Sequence, residues 1–409
     1  MRGRTEFDRR RLLAGVLSGV TAAGLGQPVT AAETGAANWL DRQFSVPPSG
    51  PTPAQPPPLQ SRTLIPPQFD QFREHDPFVA GLRPHRDGGM RLGLSRPVET
   101  SDGTRQVIHN YGHGGAGMTL SFGSAEQVVD LIHQVLNKQA APSIPPIAIL
   151  GAGVIGLTTA LAIKTRWPDV TITIYAATCD PAKTTSFKAG GMFAPISTIP
   201  EYHGNARRAE LQRTIDRSQT RIAQLARNGQ GARLGLLRRP TYSFLSRGGN
   251  VRLTMGNATR PALAYETWLI DPTVLLPALR GDLEARGVAF ITRRLDTLAD
   301  VYALPQPIIV NCTGLGARDL FTDTALEGRR GHLVVLKNDA KLDYLLNSWC
   351  GSGTRYLFAR SSDIVIGGTQ RHDETAPEFD PSDPSDQRAC DRILRSARSL
   401  FEKGPIRCS

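Results

Sequence analysis

A glycine-rich turn between two apolar stretches is the feature that most limits how this chain can fold. Residues 145–150 read PPIAIL and run directly into GAGVIG at 151–156. The stretch that follows has the apolar spacing of a helix, and residues 170–175 have the pattern of a second buried strand. Strand, G-x-G-x-x-G turn, helix and strand in this order predict a βαβ unit that binds a dinucleotide.

Each glycine of the turn has a physical reason in such a unit. Gly151 permits the tight turn, Gly153 lets a pyrophosphate approach the backbone, and Gly156 lets helix and strand pack closely. The helix N-terminus offers free N–H groups and the positive end of its dipole to the phosphates. The acidic residue that usually ends the second strand and holds a ribose hydroxyl is absent from 176–178, and Asp180 is displaced. The ribose contact is therefore expected either to differ from the usual one or to come through the backbone and Thr178.

Composition and charge exclude several other classes of protein. Of the 409 residues, 40% are hydrophobic and 21% charged, which is typical of a soluble globular protein with two or three domains. The chain contains no run of 18 apolar residues, so we predict no membrane-spanning helix. The five cysteines form no C-x-x-C pair, so we predict neither a metal site nor a disulfide scaffold. Residues 1–32 hold five arginines and two acids, so the rest of the chain carries +8 of the net charge of +11, spread over single arginines and pairs. Nucleic-acid binding is therefore the weaker interpretation, and a solubilising surface or attraction of anionic substrates the stronger.

The first 68 residues have the composition of a targeting signal and a linker. Residues 8–13 place adjacent arginines before an apolar stretch diluted with glycine. This layout is typical of a twin-arginine signal peptide over residues 1–32 and predicts export to the periplasm or the extracellular space, with a basic amphipathic helix as the alternative. Residues 33–68 contain nine prolines between Pro47 and Pro67 and predict an extended linker or surface arm.

Further motifs resemble those of the D-amino-acid oxidases and D-aspartate oxidases, which are FAD enzymes. The most specific is VIHNYGHGGAGMT at 107–119, nearly the family signature V-I-H-N-Y-G-H-G-G-Y-G-L-T. Before it, GLRP at 81–84 resembles the G-F-R-P segment that carries the family's substrate arginine. The remaining stretches that resemble family motifs are TTS at 184–186, AGGMFAP at 189–195, IVNCTG at 309–314, GRRGH at 328–332, YLF at 356–358 and IGGT at 366–369.

The order of these motifs differs from the order in the family. There, the segments that resemble 81–84 and 107–119 lie near the C-terminus, whereas here they precede the glycine turn. The resemblance therefore implies a circularly permuted α/β fold, in which a Rossmann-like FAD-binding domain is interleaved with a mixed-sheet substrate domain. We expect residues 69–140 to be the relocated C-terminal segment, and residues 141–409 to hold the FAD-binding βαβ unit and the substrate domain. Domain termini often lie close together, so a fold can accommodate such a rearrangement.

The resemblance also assigns site residues. Arg83 matches the arginine that binds the substrate carboxylate, for which its planar fork is suited. Tyr356 matches a tyrosine that contacts the same carboxylate, and Gly115 is a further substrate-binding candidate; a surface arginine and a half-buried strand tyrosine are the alternatives. Cofactor-binding residues implied by the glycine turn and the resemblance are Gly151, Ala152, Gly153, Val154, Ile155, Gly156, Thr184, Thr185, Ser186, Gly190, Gly191, Met192, Leu295, Thr313, Gly114, Gly115, Ala116, Gly117, Met118 and Thr119.

Other positions bear on the pocket and its specificity. The segment 114–119 is expected to wrap the flavin ring, and the histidines at 109 and 113 are expected to be structural. A second active-site tyrosine of many animal members falls at Ser352, so the lid that it occupies there is expected to be absent or open here. The preference between neutral and acidic side chains stays open, with Arg355 and His332 as candidates for the acidic preference.

The chemistry that the resemblance implies is oxidative deamination of D-amino acids. A hydride passes from the α-carbon to the flavin, the imino acid hydrolyses to a 2-oxo acid and ammonia, and oxygen is reduced to hydrogen peroxide. Expected partners are the small-molecule substrate, oxygen, the twin-arginine export machinery and a second copy of the chain. A secondary-amine or glycine oxidase of the same fold, and a flavoprotein that has lost catalysis, are the alternatives.

Overall fold

The structure is a computed structural model that describes residues 60–139, 143–195, 198–244, 249–347, 356–369 and 376–404. The expected twin-arginine signal and the linker up to residue 59 lie outside the described residues. The same holds for Ser352, for Arg355, and for residues 140–142, where the boundary between the two expected segments falls.

Strands and helices follow one another in a mixed order along the chain. The strands are β1 (Gln60–Thr63), β2 (Phe78–Arg86), β3 (Arg91–Leu94), β4 (Val98–Thr100), β5 (Gly103–Tyr111), β6 (Ile147–Leu150), β7 (Ile172–Ala176), β8 (Leu236–Ser243), β9 (Val251–Met255), β10 (Ala258–Ile270), β11 (Ala289–Thr292), β12 (Ile308–Asn311), β13 (Leu326–Lys337), β14 (Leu345–Asn347), β15 (Tyr356–Ala359) and β16 (Asp363–Gly367). The helices are α1 (Gly117–Gln139), α2 (Val154–Arg166), α3 (Gly204–Leu225), α4 (Pro272–Ala285), α5 (Leu298–Tyr302), α6 (Ala317–Leu320) and α7 (Pro384–Lys403). Short 3₁₀ turns occupy Gly114–Ala116, Pro181–Lys183, Thr185–Lys188, Ile199–Glu201 and Gly314–Gly316.

The first of two sheets is largely parallel and carries the glycine turn. In the described part of the chain its order is β11-β7-β6-β12-β5-β3, with β4 also paired to β5, and the pairs from β11 to β5 are parallel. Every residue of β6 and β12 is buried, as expected for strands covered on both faces. Residues of α1, α2 and α4 pack on one face, and residues of α5 and α6 cover the other.

The predicted βαβ unit is confirmed, with one shift in its second strand. The strand β6 leads through the glycine turn into α2, and Leu157, Leu161 and Ile163 of this helix are buried. The second strand, β7, begins at Ile172 rather than at Val170. The backbone N–H of Val170 donates to the Trp167 carbonyl (3.3 Å), so a turn occupies the residues just before the strand.

The second sheet is mixed and has a helix on one face. Its order over the described residues is β1-β9-β10-β8-β14-β15-β16-β13-β2, with parallel pairing at β1·β9 and β14·β8 and antiparallel pairing elsewhere. Buried residues of α7 pack with residues of β13, β15 and β16 in one apolar cluster. We call this side of β13 the helix face. The opposite side, where Val79 of β2 and Leu333 of β13 pack together, is the site face.

Residues 69–139 belong to both sheets and are not a separate domain. The strand β2 pairs antiparallel with β13 along its whole length, and β5 pairs parallel with β12. A Cβ built on Gly117, at the start of α1, would lie 3.8 Å from Val154 Cγ1, at the start of α2. The mixed α/β fold is therefore as predicted. The permuted order stays a prediction, because contacts in a fold do not record an earlier order of its segments.

The end of the predicted linker differs from the expectation of an extended arm. Strand β1 pairs parallel with residues Val251 to Thr254 of β9. The next residue, Leu64, is only 3% exposed, and the Tyr344 hydroxyl donates to the Ile65 carbonyl (2.6 Å). Apolar burial and strand pairing hold these residues at the edge of the second sheet, and the bounds of the linker stay a prediction.

The described ranges contain no membrane-spanning helix and no metal cluster. No helix within them is both long and apolar enough to cross a bilayer. Nor do they bring together three or more His, Cys, Asp or Glu side chains in a way that could hold a metal ion. The cysteines Cys179, Cys312 and Cys390 are buried free thiols.

Candidate functional site

The glycine turn lies against the end of a neighbouring strand. Gly151 has a φ of +107°, a backbone conformation that favours glycine, and a Cβ there would lie 2.5 Å from the Cys312 carbonyl oxygen. A Cβ on Gly156 would overlap the carbonyl oxygen of Gly151. Thr313, which follows Cys312 beyond the end of β12, donates its N–H (3.1 Å) and its hydroxyl (2.8 Å) to Asn311 Oδ1. The predicted residues Gly151, Gly156 and Thr313 are thus brought together.

The N-terminus of α2 fits a pyrophosphate. Its N-cap residue is Gly153, which has extended backbone and supplies no side-chain cap. The Val154 N–H donates to Ser186 Oγ (3.0 Å), and the same oxygen is the one neighbour, at 3.2 Å, that a Cβ on Gly153 would meet. Because the first N–H groups of a helix have no partner within it, they and the helix dipole favour an anion at this place. These residues fit the phosphates of a dinucleotide.

The segment 114–119 begins a second helix beside the first. A 3₁₀ turn over Gly114–Ala116 leads directly into α1. The hydroxyl of Thr119 accepts a hydrogen bond from the Ala194 N–H (3.0 Å), which joins this segment to the AGGMFAP stretch. Gly115 is exposed, whereas the side chains of Ala116 and Met118 are buried in the core. The backbone of this segment, more than its side chains, is therefore available to a cofactor.

The segment 184–192 lies between the glycine turn and the substrate strands. Thr184 caps the 3₁₀ turn that follows it by accepting from the Phe187 N–H (3.3 Å). A Cβ on Gly81 of β2 would lie 3.8 Å from the Thr185 methyl group, and a Cβ on Gly190 would lie 3.5 Å from Tyr356 Cε2. The predicted cofactor segment is thus in contact with both strands that carry the predicted substrate residues.

Arg83 lies across a glycine of the neighbouring strand. It is opposite Arg329 in the β2·β13 pair, and a Cβ on Gly331 would overlap its guanidinium. Its NH1 donates to the Thr369 carbonyl (3.1 Å). Since a guanidinium has five N–H donors, this bond leaves four, which are enough for both oxygens of a carboxylate. Within the described ranges Arg83 forms no ion pair, whereas Arg329 is paired with Glu201 (2.7 Å).

Tyr356 lies over the two glycines at the end of β16. Its ring stacks on Phe358, with 4.5 Å between centroids and 12° between planes. A Cβ on Gly367 would overlap the ring, and one on Gly368 would lie 3.1 Å from the hydroxyl oxygen. Because Thr369 follows Gly368, the tyrosine hydroxyl and the Arg83 guanidinium lie over consecutive residues. They lean over β16 and β13, which are neighbouring strands about 4.8 Å apart, so the two predicted substrate residues lie on the same face of the sheet, the site face.

Two buried histidines within the segment 107–119 and a third beside it are uncharged. Burial lowers the pKa of His113 to about 3, and its Nε2 lies 3.3 Å from Ser124 Oγ. Burial likewise lowers the pKa of His109 to about 4 and that of His85, whose ring would lie 3.1 Å from a Cβ on Gly114, to about 4. Their position agrees with a structural role for His109 and His113.

His332, a candidate for substrate preference, is not on the site face. It is fully buried, and its Nε2 lies 2.9 Å from Asp386 Oδ1 of α7. A residue on the helix face cannot contact a ligand that binds to Arg83 on the other side of the sheet. The other candidate, Arg355, lies outside the described residues.

The remaining predicted cofactor residues are placed without a test of their role. Leu295 packs near Tyr175 and Val301, on the face of the first sheet opposite α2. Gly191 has a φ of +93° and Met192 forms a β-bridge with Leu269. The side chains of Ala152 and Val154 are buried in the core, and Ile155 is half-buried and packs against it. Their cofactor contacts stay predictions.

Four positions that complete the site are not among the predicted site residues. Gly331, Gly367 and Gly368 make room for Arg83 and Tyr356, and Thr369 accepts the guanidinium hydrogen bond. The available signal was glycine inside or directly after a strand pattern, which often marks close approach by another group. The motifs GRRGH and IGGT contain that signal.

Relatives of known activity share much of this chain. The family described as FAD dependent oxidoreductase (DAO) matches residues 146–408. A D-amino-acid oxidase of Streptomyces coelicolor is 33% identical over 243 residues, which cover 58% of this chain and 73% of that protein. A human D-aspartate oxidase is 26% identical over 283 residues, which cover 64% of this chain and 80% of that protein.

Among solved structures, a glycine oxidase of Bacillus cereus matches with a TM-score of 0.45 and 13% identity, over 63% of this chain and 78% of that one. The family match spans more than half of the chain and includes the glycine turn whose geometry fits a dinucleotide. The chain therefore belongs to the DAO family of FAD-dependent oxidoreductases, and FAD is its cofactor.

Proposed function

We propose that this protein oxidises D-amino acids to 2-oxo acids with release of ammonia and hydrogen peroxide. The observation that carries the proposal is the placement of Arg83 and Tyr356 on the site face, over neighbouring strands and beside the segment 184–192. Similarity to a D-amino-acid oxidase and a D-aspartate oxidase supports the same reaction class.

The arrangement suits a substrate that has a carboxylate next to the reacting carbon. Arg83 has free donors for both carboxylate oxygens, and the Tyr356 hydroxyl lies over the adjacent residue to donate a further hydrogen bond. A Cβ on Gly190 would lie 3.5 Å from Tyr356 Cε2. A substrate held by its carboxylate would therefore have its α-carbon close to the cofactor segment. Bound FAD supplies the two-electron acceptor for the hydride of that carbon.

The chain's own contribution is positioning and charge. A carboxylate fixed at both oxygens loses its rotational freedom before reaction, which is a large part of what an enzyme of this kind can supply. The N-termini of α1 and α2 begin side by side, and both favour negative charge on a bound group. Burial lowers the pKa of His109 to about 4 and that of His113 to about 3, so both are neutral and we assign no proton transfer to them.

The test is peroxide release by the FAD-loaded enzyme with matched substrates. We expect turnover of D-alanine or D-aspartate and none of the L-enantiomers. Faster oxidation of glycine or sarcosine than of any D-amino acid would favour the secondary-amine alternative. A yellow protein whose flavin is not bleached by any of these compounds under anaerobic conditions would show that catalysis has been lost. If a D-amino acid bleaches the flavin under anaerobic conditions but no peroxide forms in air, the electron acceptor of the enzyme is not oxygen.

We also propose that residues 69–140 are a relocated C-terminal segment. The family match begins at Pro146, whereas strands β2 and β5 of the earlier segment pair with β13 and β12 of the matched part. A variant in which residues 69–139 follow residue 404 through a glycine-serine linker should bind FAD and retain the parent's thermal midpoint within a few degrees. Failure of that variant to fold with several linker lengths would argue against the proposal.

We further propose that the protein is exported through the twin-arginine pathway. The support is the arrangement of residues 8–13 before a glycine-diluted apolar stretch. A fusion of residues 1–59 to a reporter should be exported in folded form, and replacement of Arg9, Arg10 and Arg11 by lysine should retain it in the cytoplasm. Export that persists in the lysine variant would contradict the proposal.

A further inference from the structure

We propose that a buried network of Asp386, His332 and Thr369 on the helix face holds Arg83 in the position that binds the substrate carboxylate. The three are positioning residues, since they act on the substrate through Arg83. The inference rests on the proposed function, because it concerns the same carboxylate site.

The network is a continuous set of short contacts. Asp386 Oδ1 lies 2.9 Å from His332 Nε2, and His332 Nδ1 lies 2.6 Å from the Thr369 hydroxyl. The same hydroxyl accepts the His332 backbone N–H at 3.0 Å. The carbonyl of Thr369 then accepts the Arg83 NH1 at 3.1 Å. Asp386 and His332 are both fully buried, so water does not compete for the bond between them.

The contacts cross the sheet from one face to the other. Side chains alternate along a strand, so His332 of β13 points to α7 while its neighbour Gly331 is on the site face under the Arg83 guanidinium. Thr369 lies between them, with its hydroxyl bound to the histidine and its carbonyl bound to the arginine. The position of α7 therefore fixes the residue on which Arg83 rests.

The charges at the far end of the network are balanced. Asp386 accepts bidentate hydrogen bonds from Arg330 (2.7 and 2.6 Å) and a third from the Asp380 N–H (2.9 Å). Burial alone would raise the pKa of Asp386, but these donors and His332 hold it below its usual range. The aspartate thus stays a carboxylate and orients the histidine ring, as such pairs do when a buried imidazole needs one tautomer.

An arginine at this place needs an anchor. Its long side chain loses considerable rotamer entropy when held in one geometry. Nearby Arg329 is fixed by Glu201 (2.7 Å), whereas Arg83 forms no ion pair among the residues that the structure describes. A carboxylate partner would compete with the substrate, whereas a neutral carbonyl oxygen can orient the guanidinium and leave its charge free for the ligand.

The test is Thr369→Val, which keeps the volume and the carbonyl but removes the hydroxyl. We expect KM for the D-amino acid and the Kd of benzoate, a carboxylate that cannot be oxidised at an α-carbon, to rise about 3- to 10-fold, because the hydroxyl that bonds both the ring and the backbone N–H of His332 is lost. We expect kcat within about twofold of the parent. The matched control is Thr254→Val, since this half-buried threonine bonds Thr259 (2.8 Å) at the other end of the same sheet. It should leave both constants unchanged.

Coupling separates positioning from general destabilisation. In an Arg83→Ala background, Thr369→Val should cause no further rise in the benzoate Kd, because its effect passes through the arginine. His332→Gln, whose amide can both donate and accept, should recover more benzoate affinity than His332→Leu. An unchanged benzoate Kd in Thr369→Val, or an equal rise with and without Arg83, would overturn the proposal. So would a parent enzyme that binds no benzoate. If benzoate binding behaves as expected but no D-amino acid is oxidised, the proposed substrate fails and the network stands.

Discussion

The phosphate end and the carboxylate end of this site are built in different ways. The phosphate end is one contiguous stretch, in which backbone N–H groups and missing Cβ atoms of 151–156 do the binding. The carboxylate end depends on side chains from separate strands, and its hydrogen bond from Arg83 to Thr369 spans 286 positions of sequence. The first end forms wherever a strand, turn and helix form, whereas the second needs the register of a whole sheet.

This difference predicts how each end fails. A side chain added at the phosphate end fills volume that the cofactor must occupy, so the protein no longer binds the flavin. A change at the carboxylate end removes part of the substrate's binding energy and leaves the flavin in place. One variant at each end of the site tests this separation.

Gly153→Val should abolish FAD binding without unfolding the chain. The backbone at Gly153 is extended, with φ −77° and ψ −178°, and a Cβ there meets only Ser186 Oγ, at 3.2 Å. A side chain at this place would occupy the approach of the pyrophosphate, so we expect FAD affinity to fall by at least about 100-fold, or about 3 kcal/mol. The measurements are the flavin absorbance of the purified protein and the thermal midpoint of the apoprotein.

The control is Gly156→Val, three residues along the same turn. A Cβ there overlaps the Gly151 carbonyl oxygen, so helix and strand must separate. We expect this variant to lose thermal stability in the apoprotein, whereas Gly153→Val keeps it. Yellow, FAD-loaded Gly153→Val protein would contradict the assignment of the phosphate site.

The phosphate end was readable from sequence because its signal is local. The order of strand, glycines and helix fixes both the fold of 147–166 and the direction in which its N–H groups point. The start of β7 was missed by two residues, because the turn that precedes it contains apolar residues that resemble strand. The strand β1 was missed because proline-rich composition predicts a linker, while tertiary burial of Leu64 decides the outcome.

Arg83→Ala should leave FAD bound and weaken use of the substrate. A charge-assisted hydrogen bond contributes about 1.5–3 kcal/mol, and a bidentate pair in a largely dry site supplies two. A loss of about 3–5 kcal/mol corresponds to about 10²- to 10³·⁵-fold in kcat/KM. Steady-state peroxide release with a D-amino acid measures it, beside the visible spectrum of the enzyme.

Two variants sharpen this result. Arg83→Lys should recover only part of the activity, because an ammonium cannot donate to both oxygens in a fixed plane. Arg294→Ala removes an arginine with 77% of its side chain exposed and should leave kcat/KM unchanged. Full activity of Arg83→Ala would place the carboxylate site elsewhere.

The carboxylate end was readable only through resemblance to a family. Nothing in the composition of β2 distinguishes Arg83 from the other arginines of the chain, and its distance from Tyr356 follows from strand pairing that no local pattern encodes. The same limit explains why the sequence alone keeps His332 as a candidate for substrate preference. The face of the sheet on which the His332 side chain lies depends on the register of β13 in the sheet. A shift of one residue would move this side chain from the face covered by α7 to the site face.

Between the two ends lie the buried histidines, which make stability depend on pH. The pKa of His113 is lowered to about 3, and those of His85 and His109 to about 4, in each case mainly by burial. A histidine in the unfolded chain has a pKa of about 6.5. As pH falls below that value, the unfolded chain binds protons that the folded chain does not. Stability is therefore complete above about pH 6.5 and declines as pH falls towards the folded values.

Urea unfolding at pH 7 and pH 5 should show this loss. Each histidine contributes up to about 1.4 kcal/mol per pH unit within the window, or about 2 kcal/mol between pH 6.5 and 5. Carboxylates with lowered pKa, such as Asp323 and Asp386, lose their contribution only below about pH 4, and Glu126, whose pKa burial raises, acts in the opposite direction.

The deciding comparison is the slope of stability against pH in single variants. His113→Asn removes one buried histidine, so its free energy of unfolding should fall less steeply between pH 7 and 5 than that of the parent, whatever its stability at pH 7. His203→Gln is the control, because the side chain of His203 is 69% exposed and loses little water on folding. Because two of the three histidines adjoin Gly114, we expect flavin release in the same pH window. A parent whose stability is equal at both pH values would show that these rings are not held neutral by burial.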